Sequence, residues 1–317
     1  MTSLLILLDL PEKVRRRYYD HLRAKFPEVN IHMVDHHSKV GPYIGSADIL
    51  LTFGPMMADH VLKDATKLKW IQALGTGVDG IVDQPSLRDD ILITSVHGIH
   101  GAAVSEAAIM LMLALSRELP RVVRNQDRHK WDRFPARLLK DKTVGIFGVG
   151  AIAEELAPKC KAFGMTVVGI SSTKREVAGF DRMYGRDELE PAVREVDYLV
   201  LLTPYSPATR GIVGAKTFSA LKPTSYLVNL ARGGVVDEEA LIKALQQGQI
   251  AGAALDVFNH EPLPVDHPFW TMENVLITPH LGGFYDTYPA YALPVVEENL
   301  RRFLAGDTKN MINVVKR

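Results

Sequence analysis

Cysteine is nearly absent: Cys160 is the sole thiol in 317 residues. An intrachain disulfide is impossible, which fits a reducing, cytoplasmic compartment and excludes a disulfide-stapled scaffold. Net charge is lacking as well. Lys plus Arg number 37 and Asp plus Glu number 37, so the chain as a whole offers no basic field to a phosphate backbone, and nucleic-acid binding is disfavoured. Long apolar runs are missing too: Ala107 to Leu115, the longest, spans nine residues against the ~20 that cross a bilayer. No membrane partner is expected. The opening run Leu4 to Leu8 follows no basic region and ends at Asp9, so it reads as a first buried strand rather than a signal-peptide core.

What is present, 47% hydrophobic and 23% charged residues, is the composition of an ordinary globular protein. The length suits two domains at ~100–200 residues each. Strand-like runs such as Ala47 to Phe53 and Lys69 to Ala73 alternate with helical patterns along the chain, which argues an α/β fold with parallel sheets. From residue 143 the alternation is regular: TVGIF (143–147), TVVGI (166–170), DYLVLL (197–202), SYLVNL (225–230), GAALDVF (252–258) and NVLITP (274–279). Six such strands complete one doubly wound Rossmann sheet. The segment 101–119 has the apolar density of a buried helix that Pro120 stops, and it bridges the early strands and this block. Seven Lys/Arg and two Asp fall in 121–140, a solvated helix and arm or a subunit contact.

After the strand 143–147 comes GVGAIA, with Gly148, Gly150 and Ala153 at the positions of a G-x-G-x-x-G/A fingerprint. Gly148 allows a tight turn, Gly150 lets the backbone approach a pyrophosphate, and Ala153 packs helix on strand, so the anion sits on the helix N-terminus. Pro158 is expected to kink that helix. At the end of the next strand an acid would bind the ribose 2′-hydroxyl of NAD, but the chain has Ser171, Ser172, Thr173, Lys174 and Arg175. Hydroxyls and cations suit a 2′-phosphate. NADP(H) is therefore the preferred cofactor, with NAD(H) over a solvated basic turn as the alternative.

Ligands of open α/β sheets bind beyond the carboxyl ends of the strands. Arg232 follows the strand 225–230, Glu261 follows 252–258 and His280 follows 274–279. An imidazole is poised to exchange a proton near neutral pH, a carboxylate beside it favours the imidazolium, and a guanidinium grips a carboxylate with two bonds. Against a nicotinamide, this set describes hydride transfer to a 2-oxo acid. Singly, Arg232 also reads as a cap or interface ion pair, Glu261 as a turn residue before Pro262, and His280 as a buried, satisfied histidine.

With these residues in view, the sequence resembles the D-isomer-specific 2-hydroxyacid dehydrogenases. GVGAIA, LLTPYSPATRGIVG, NLARGGVVDEEAL, ALDVFNHEPLP and TPHLGG occur in that family's order and at its spacings, from about residue 72 to the C-terminus. The resemblance implies that Arg232 binds and polarises the substrate, Glu261 orients His280, and His280 protonates the substrate oxygen. It implies that Gly75, Thr76, Gly77 and Val78 help hold the substrate carboxylate. Cofactor contacts are implied along Gly148, Val149, Gly150, Ala151 and Ile152, with Thr203 and Pro204 on the adenosine side. Thr209, Leu230, Ala231, Arg232 and His280 continue that lining. Asp256 is implied near the nicotinamide carboxamide, and Gly282 with Gly283 over the ring. Residues 1–98 with 286–317 would form a smaller, flavodoxin-like substrate domain, with the dinucleotide domain, 99–285, inserted. Members are commonly homodimers built on the cofactor domains.

Departures from the family pattern are His100, where many members have Asn, and Phe284 and Tyr285 after the glycine pair. Glu261 argues against formate dehydrogenase, and a central fingerprint argues against an L-lactate-type enzyme. The reading is an NADPH-preferring reductase of a small 2-oxo acid, of the glyoxylate or hydroxypyruvate class. A dinucleotide-sensing corepressor of the same fold and a 3-phosphoglycerate-type dehydrogenase are the alternatives. Against the latter, the N-terminal half shows no clear basic phosphate pocket, and the usual regulatory domain is not in this sequence. No metal is expected.

Overall fold

Short apolar runs, buried along their whole length, become parallel strands. In the computed structural model, which describes residues 1–316, two compact units result: Met1–Ile99 with the segment from Asp286 onward, and His100–Tyr285. The first unit holds β1 (Ser3–Leu7), β2 (Asn30–Val34), β3 (Ile49–Thr52), β4 (Trp70–Ala73) and β5 (Leu92–Thr94) in the order β2-β1-β3-β4-β5. This is the flavodoxin-like order, 2-1-3-4-5. Every residue of β1, β3 and β4 is buried, because a parallel sheet is covered on both faces. The helix Tyr288–Leu304 packs on the helix Glu12–Lys25. Beyond it the chain joins the sheet edge: the Val315 amide donates to the Ile93 carbonyl at 2.9 Å and the Ser95 amide to the Asn313 carbonyl at 3.1 Å.

A seven-stranded parallel sheet forms the second unit. Its strands β6 (Thr143–Phe147), β7 (Thr166–Ser171), β8 (Arg182–Gly185), β9 (Tyr198–Leu201), β10 (Tyr226–Asn229), β11 (Gly252–Leu255) and β12 (Val275–Ile277) stand as β12-β11-β10-β9-β6-β7-β8. The order reverses between β6 and β9, the switch point at which such sheets take ligands. Six strands fall where the sequence predicts them; β8 is an addition. Its RMYG carries one exposed, two half-buried and one buried residue at the sheet edge, so it lacks the apolar run that marks the others.

One proline expectation changes. The helix Gly101–Ser116 ends before Pro120, at a break where Glu118 adopts φ +50°. Pro120 instead lies in the first turn of the next helix, Leu119–Asp127, a position where its missing N–H costs nothing. The helix Ala151–Ala162 contains Pro158; Pro158 is exposed, while Ala153, Leu156, Ala157 and Cys160 are buried. The helix 101–116 packs on this helix within the second unit. In the basic segment, Arg121 lies 2.7 Å from Asp132 and over the Phe134 ring, and Arg124 donates to the Glu273 carbonyl at 2.9 Å. No helix among the described residues is long and apolar enough to cross a membrane.

Candidate active site

Arg232, Glu261 and His280 stand beyond the carboxyl ends of β10, β11 and β12, and the second unit brings them together. His280 Nδ1 lies 2.7 Å from Glu261 Oε2, and Glu261 Oε1 accepts the Phe258 amide at 2.9 Å. Burial works against the Glu261 carboxylate, but His280, the Phe258 amide and the Arg232 charge outweigh it and hold the carboxyl below its usual range. Arg232 Nη1 donates to the Ala231 carbonyl at 2.7 Å.

Backbone packing explains how these loops meet. A Cβ on Gly233 would fall 2.0 Å from the Phe258 carbonyl carbon, so only glycine lets the loop after Arg232 lie against the turn that carries Glu261. Buried Asn229 clamps the same loop, accepting the Ala231 amide and donating to the Arg232 carbonyl, both at 3.1 Å. Neither residue stood out in the sequence, although the RGG run was the available signal.

His280 adopts φ +52°, a strained choice for a non-glycine residue that the surroundings must impose. Asp256 imposes it. Its carbonyl accepts the His280 amide at 2.8 Å, and its carboxylate, on a residue 2% exposed, accepts the Leu281 and Gly282 amides at 2.8 Å each and the Thr278 hydroxyl. Asp256, expected from the resemblance near a nicotinamide carboxamide, thus ties the end of β11 to the loop after β12 that carries His280. A Cβ on Gly282 would meet Leu230 at 2.7 Å, and one on Gly283 would meet the His100 ring at 3.1 Å. The imidazole at position 100 thus packs on the second glycine of the pair.

The dinucleotide cradle passes a direct test of fit. Gly148 has φ +103°, and a Cβ there would fall 2.4 Å from the Thr203 amide nitrogen. Gly150 has open space where a Cβ would stand, and it precedes a helix that no side chain caps. Uncapped amides at a helix N-terminus suit an anion. Val149 and Ile152 are half-buried and Ala151 exposed. Thr203 is buried and Pro204 exposed. Thr209, 1% exposed, gives its hydroxyl to the Pro204 carbonyl at 2.8 Å and accepts the Ser206 amide at 2.8 Å, so it shapes this loop. Leu230 is half-buried and Ala231 buried. After β7, Ser172 to Arg175 are exposed, and acids meet the cations: Lys174 lies 3.0 Å from Glu188 and Arg175 3.0 Å from Glu154.

In the first unit, Gly75 to Val78 follow β4. The Gly75 carbonyl accepts the Val96 amide at 3.1 Å, the Thr76 hydroxyl donates to the Val96 carbonyl at 3.0 Å, and the Val78 carbonyl accepts the Ile81 amide at 3.0 Å. The Tyr288 hydroxyl donates to the Leu74 carbonyl and steadies the loop's start. Among the described residues no group of three or more His, Cys, Asp or Glu is placed to hold a metal ion.

Comparison with known proteins agrees with this architecture. The family model described as D-isomer specific 2-hydroxyacid dehydrogenase, NAD binding domain, matches residues 109–282, more than half of the chain. A D-3-phosphoglycerate dehydrogenase from Methanocaldococcus jannaschii is 34% identical over 276 residues, 86% of this chain and 52% of that one. The chain thus spans about half the length of that relative. A glyoxylate/hydroxypyruvate reductase A from Photorhabdus laumondii is 32% identical over 276 residues, 85% of this chain and 87% of that one. The crystal structure of an NADPH-dependent glyoxylate/hydroxypyruvate reductase from Sinorhizobium meliloti, in complex with NADP and sulfate, matches with TM-score 0.83 and 27% identity. It covers 100% of this chain and 98% of that one. The chain therefore belongs to the D-isomer specific 2-hydroxyacid dehydrogenases, a family of NAD(P)-dependent enzymes.

Proposed function

We propose that the chain reduces a small 2-oxo acid of the glyoxylate or hydroxypyruvate class, with NADP(H) preferred over NAD(H). The observation that carries this reading is the His280–Glu261 pair beside Arg232, at the carboxyl edge of a sheet with a dinucleotide cradle. A bound nicotinamide supplies the hydride, and the net change is 2-oxo acid plus NADPH plus H⁺ giving 2-hydroxy acid plus NADP⁺. His280 gives its proton to the carbonyl oxygen as that oxygen gains charge. Glu261, bonded at Nδ1, orients the ring and leaves Nε2 for the substrate. Arg232 grips the substrate carboxylate and polarises the carbonyl. The backbone amides of Gly75 to Val78 are assigned to the same carboxylate.

The reductases of Photorhabdus and Sinorhizobium support this class, and the NADP complex of the latter supports the cofactor choice. A second reading, oxidation of 3-phosphoglycerate, has the Methanocaldococcus relative in its favour. We assign the chain to the cytoplasm, since a sequence with one cysteine carries no intrachain disulfide, as suits a reducing compartment. A homodimer through the second unit suits the apolar groove of about 660 Å³ lined by Ile109, Met110, Leu113, Leu119 and Phe163. Trp131, 92% exposed, adds apolar surface on the arm of the same unit.

The test is the initial rate of NADPH oxidation with glyoxylate, hydroxypyruvate, pyruvate, phenylpyruvate and the 3-phosphate of hydroxypyruvate, each in turn. Fastest turnover of one of the first two supports the reading. A clear preference for the phosphorylated acid replaces it with the second.

A further inference from the structure

We propose that Glu154 sets the dinucleotide selectivity of this chain by competing inside the protein for Arg175. The inference rests on the NADP(H) reading above. The turn after β7 carries two cations, and the structure gives them unequal partners. Lys174 Nζ lies 3.0 Å from Glu188 Oε2, and that same oxygen accepts the Gly185 amide at 2.7 Å. The backbone bond and Lys174 together hold the Glu188 carboxyl below its ordinary range. Lys174 is thus tied to an acid that is itself anchored.

Arg175 is held differently. Its Nη2 donates to Glu154 Oε1 at 3.0 Å, and both side chains are about half exposed, 51% and 47%. An exposed pair of this kind biases a guanidinium by at most about fivefold. A 2′-phosphate carries nearly two charges and three acceptor oxygens, and charge-assisted bonds to it are short and strong. Of the two cations, Arg175 is therefore the one a phosphate can draw away.

Glu154 belongs to the first turn of the helix Ala151–Ala162, directly after the glycine turn, and Arg175 follows the neighbouring strand β7. Ser171 stands where an acid would end β7, and an acid of the adjacent helix pairs with the cation that follows. With a 2′-hydroxyl on the ribose, the Arg175–Glu154 pair persists. A 2′-phosphate must break it and then sit beside a carboxylate. Both effects weaken NADPH and spare NADH, so Glu154 narrows the preference that Arg175 creates.

The test is a fluorescence titration of the intact chain with NADPH and with NADH, on the wild type, Glu154→Gln, Arg175→Ala and the double variant. Glu154→Gln should tighten NADPH relative to NADH by roughly fivefold, and that selective gain should vanish in the Arg175→Ala background. Binding of neither dinucleotide by the wild type, or equal losses for both in Arg175→Ala, overturns the cofactor reading and this inference with it. A selective NADPH loss in Arg175→Ala overturns this inference alone if Glu154→Gln brings no selective gain, or if the gain survives in the double variant.

Discussion

Glu261 is held at both carboxylate oxygens: Oε2 lies 2.7 Å from His280 Nδ1 and Oε1 accepts the Phe258 amide at 2.9 Å. The backbone fixes the acid and the acid fixes the imidazole. Glutamine at this position keeps an acceptor for one partner but loses the negative charge beside the ring. Glu261→Gln should lower kcat with the best acid roughly 10²-fold and leave the Kd of NADPH within about twofold. Steady-state rates with a parallel binding titration check this, and a loss confined to KM would contradict it.

The same carboxyl gives a pH signature. Its value in the folded chain lies below the usual 4.5, so the unfolded chain binds more protons in the acid range. The stabilisation is complete above the unfolded value and is lost as pH falls through the depressed folded one. The stability gap between wild type and Glu261→Gln should thus be constant near neutrality and shrink below about the usual carboxyl value. Urea midpoints of both proteins across that range decide it; a gap that widens on acidification speaks against the pairing.

The two fingerprint glycines should separate folding from binding. Alanine at 148 requires φ +103° and a Cβ 2.4 Å from the Thr203 nitrogen, so Gly148→Ala should cost about 2–4 kcal/mol. Alanine at 150 meets nothing within 4 Å on an extended backbone. Gly150→Ala should keep its Tm within about 2 °C and still lose dinucleotide affinity, since its methyl occupies the space left for the anion. Thermal melts with and without NADPH distinguish the two, and unchanged affinity in Gly150→Ala would argue against the cradle.

Asn299 ties the C-terminal segment to the first sheet. Its side chain accepts the Ile312 amide at 2.6 Å and donates to the Ile312 carbonyl at 3.1 Å and Gln72 Oε1 at 3.0 Å, while Gln72 accepts the Thr94 hydroxyl at 2.8 Å. All three side chains are fully buried. Asn299→Ala removes the partner of the Ile312 amide and carbonyl and leaves a void, and should cost about 2–4 kcal/mol. A chemical denaturation curve within error of wild type would contradict the network's role.

The family and the parallel α/β architecture were legible because buried strands such as TVGIF and DYLVLL announce themselves as apolar runs, and the glycine fingerprint sits between strand and helix. The edge strand Arg182–Gly185 was not, because its side chains face partly into solvent and carry no such run. Pro120 reads in sequence as a stop, yet it starts a helix once Glu118 has turned the chain. Glu154 and Glu188 escaped notice because they lie 21 and 14 positions from the cations they meet, and only the fold makes them neighbours. The bracing of the His280 loop by Asp256 was likewise hidden, because its partners Leu281 and Gly282 lie 25 and 26 positions away.

The most direct test of the central claim compares wild type with His280→Ala in the oxidation of NADPH by hydroxypyruvate, with dinucleotide affinity measured on the same samples. The account predicts rapid turnover by the wild type, a loss of roughly 10²- to 10⁴-fold in the variant, and NADPH binding nearly intact. A wild type that binds NADPH but reduces no 2-oxo acid, or a variant that keeps its rate, would contradict it.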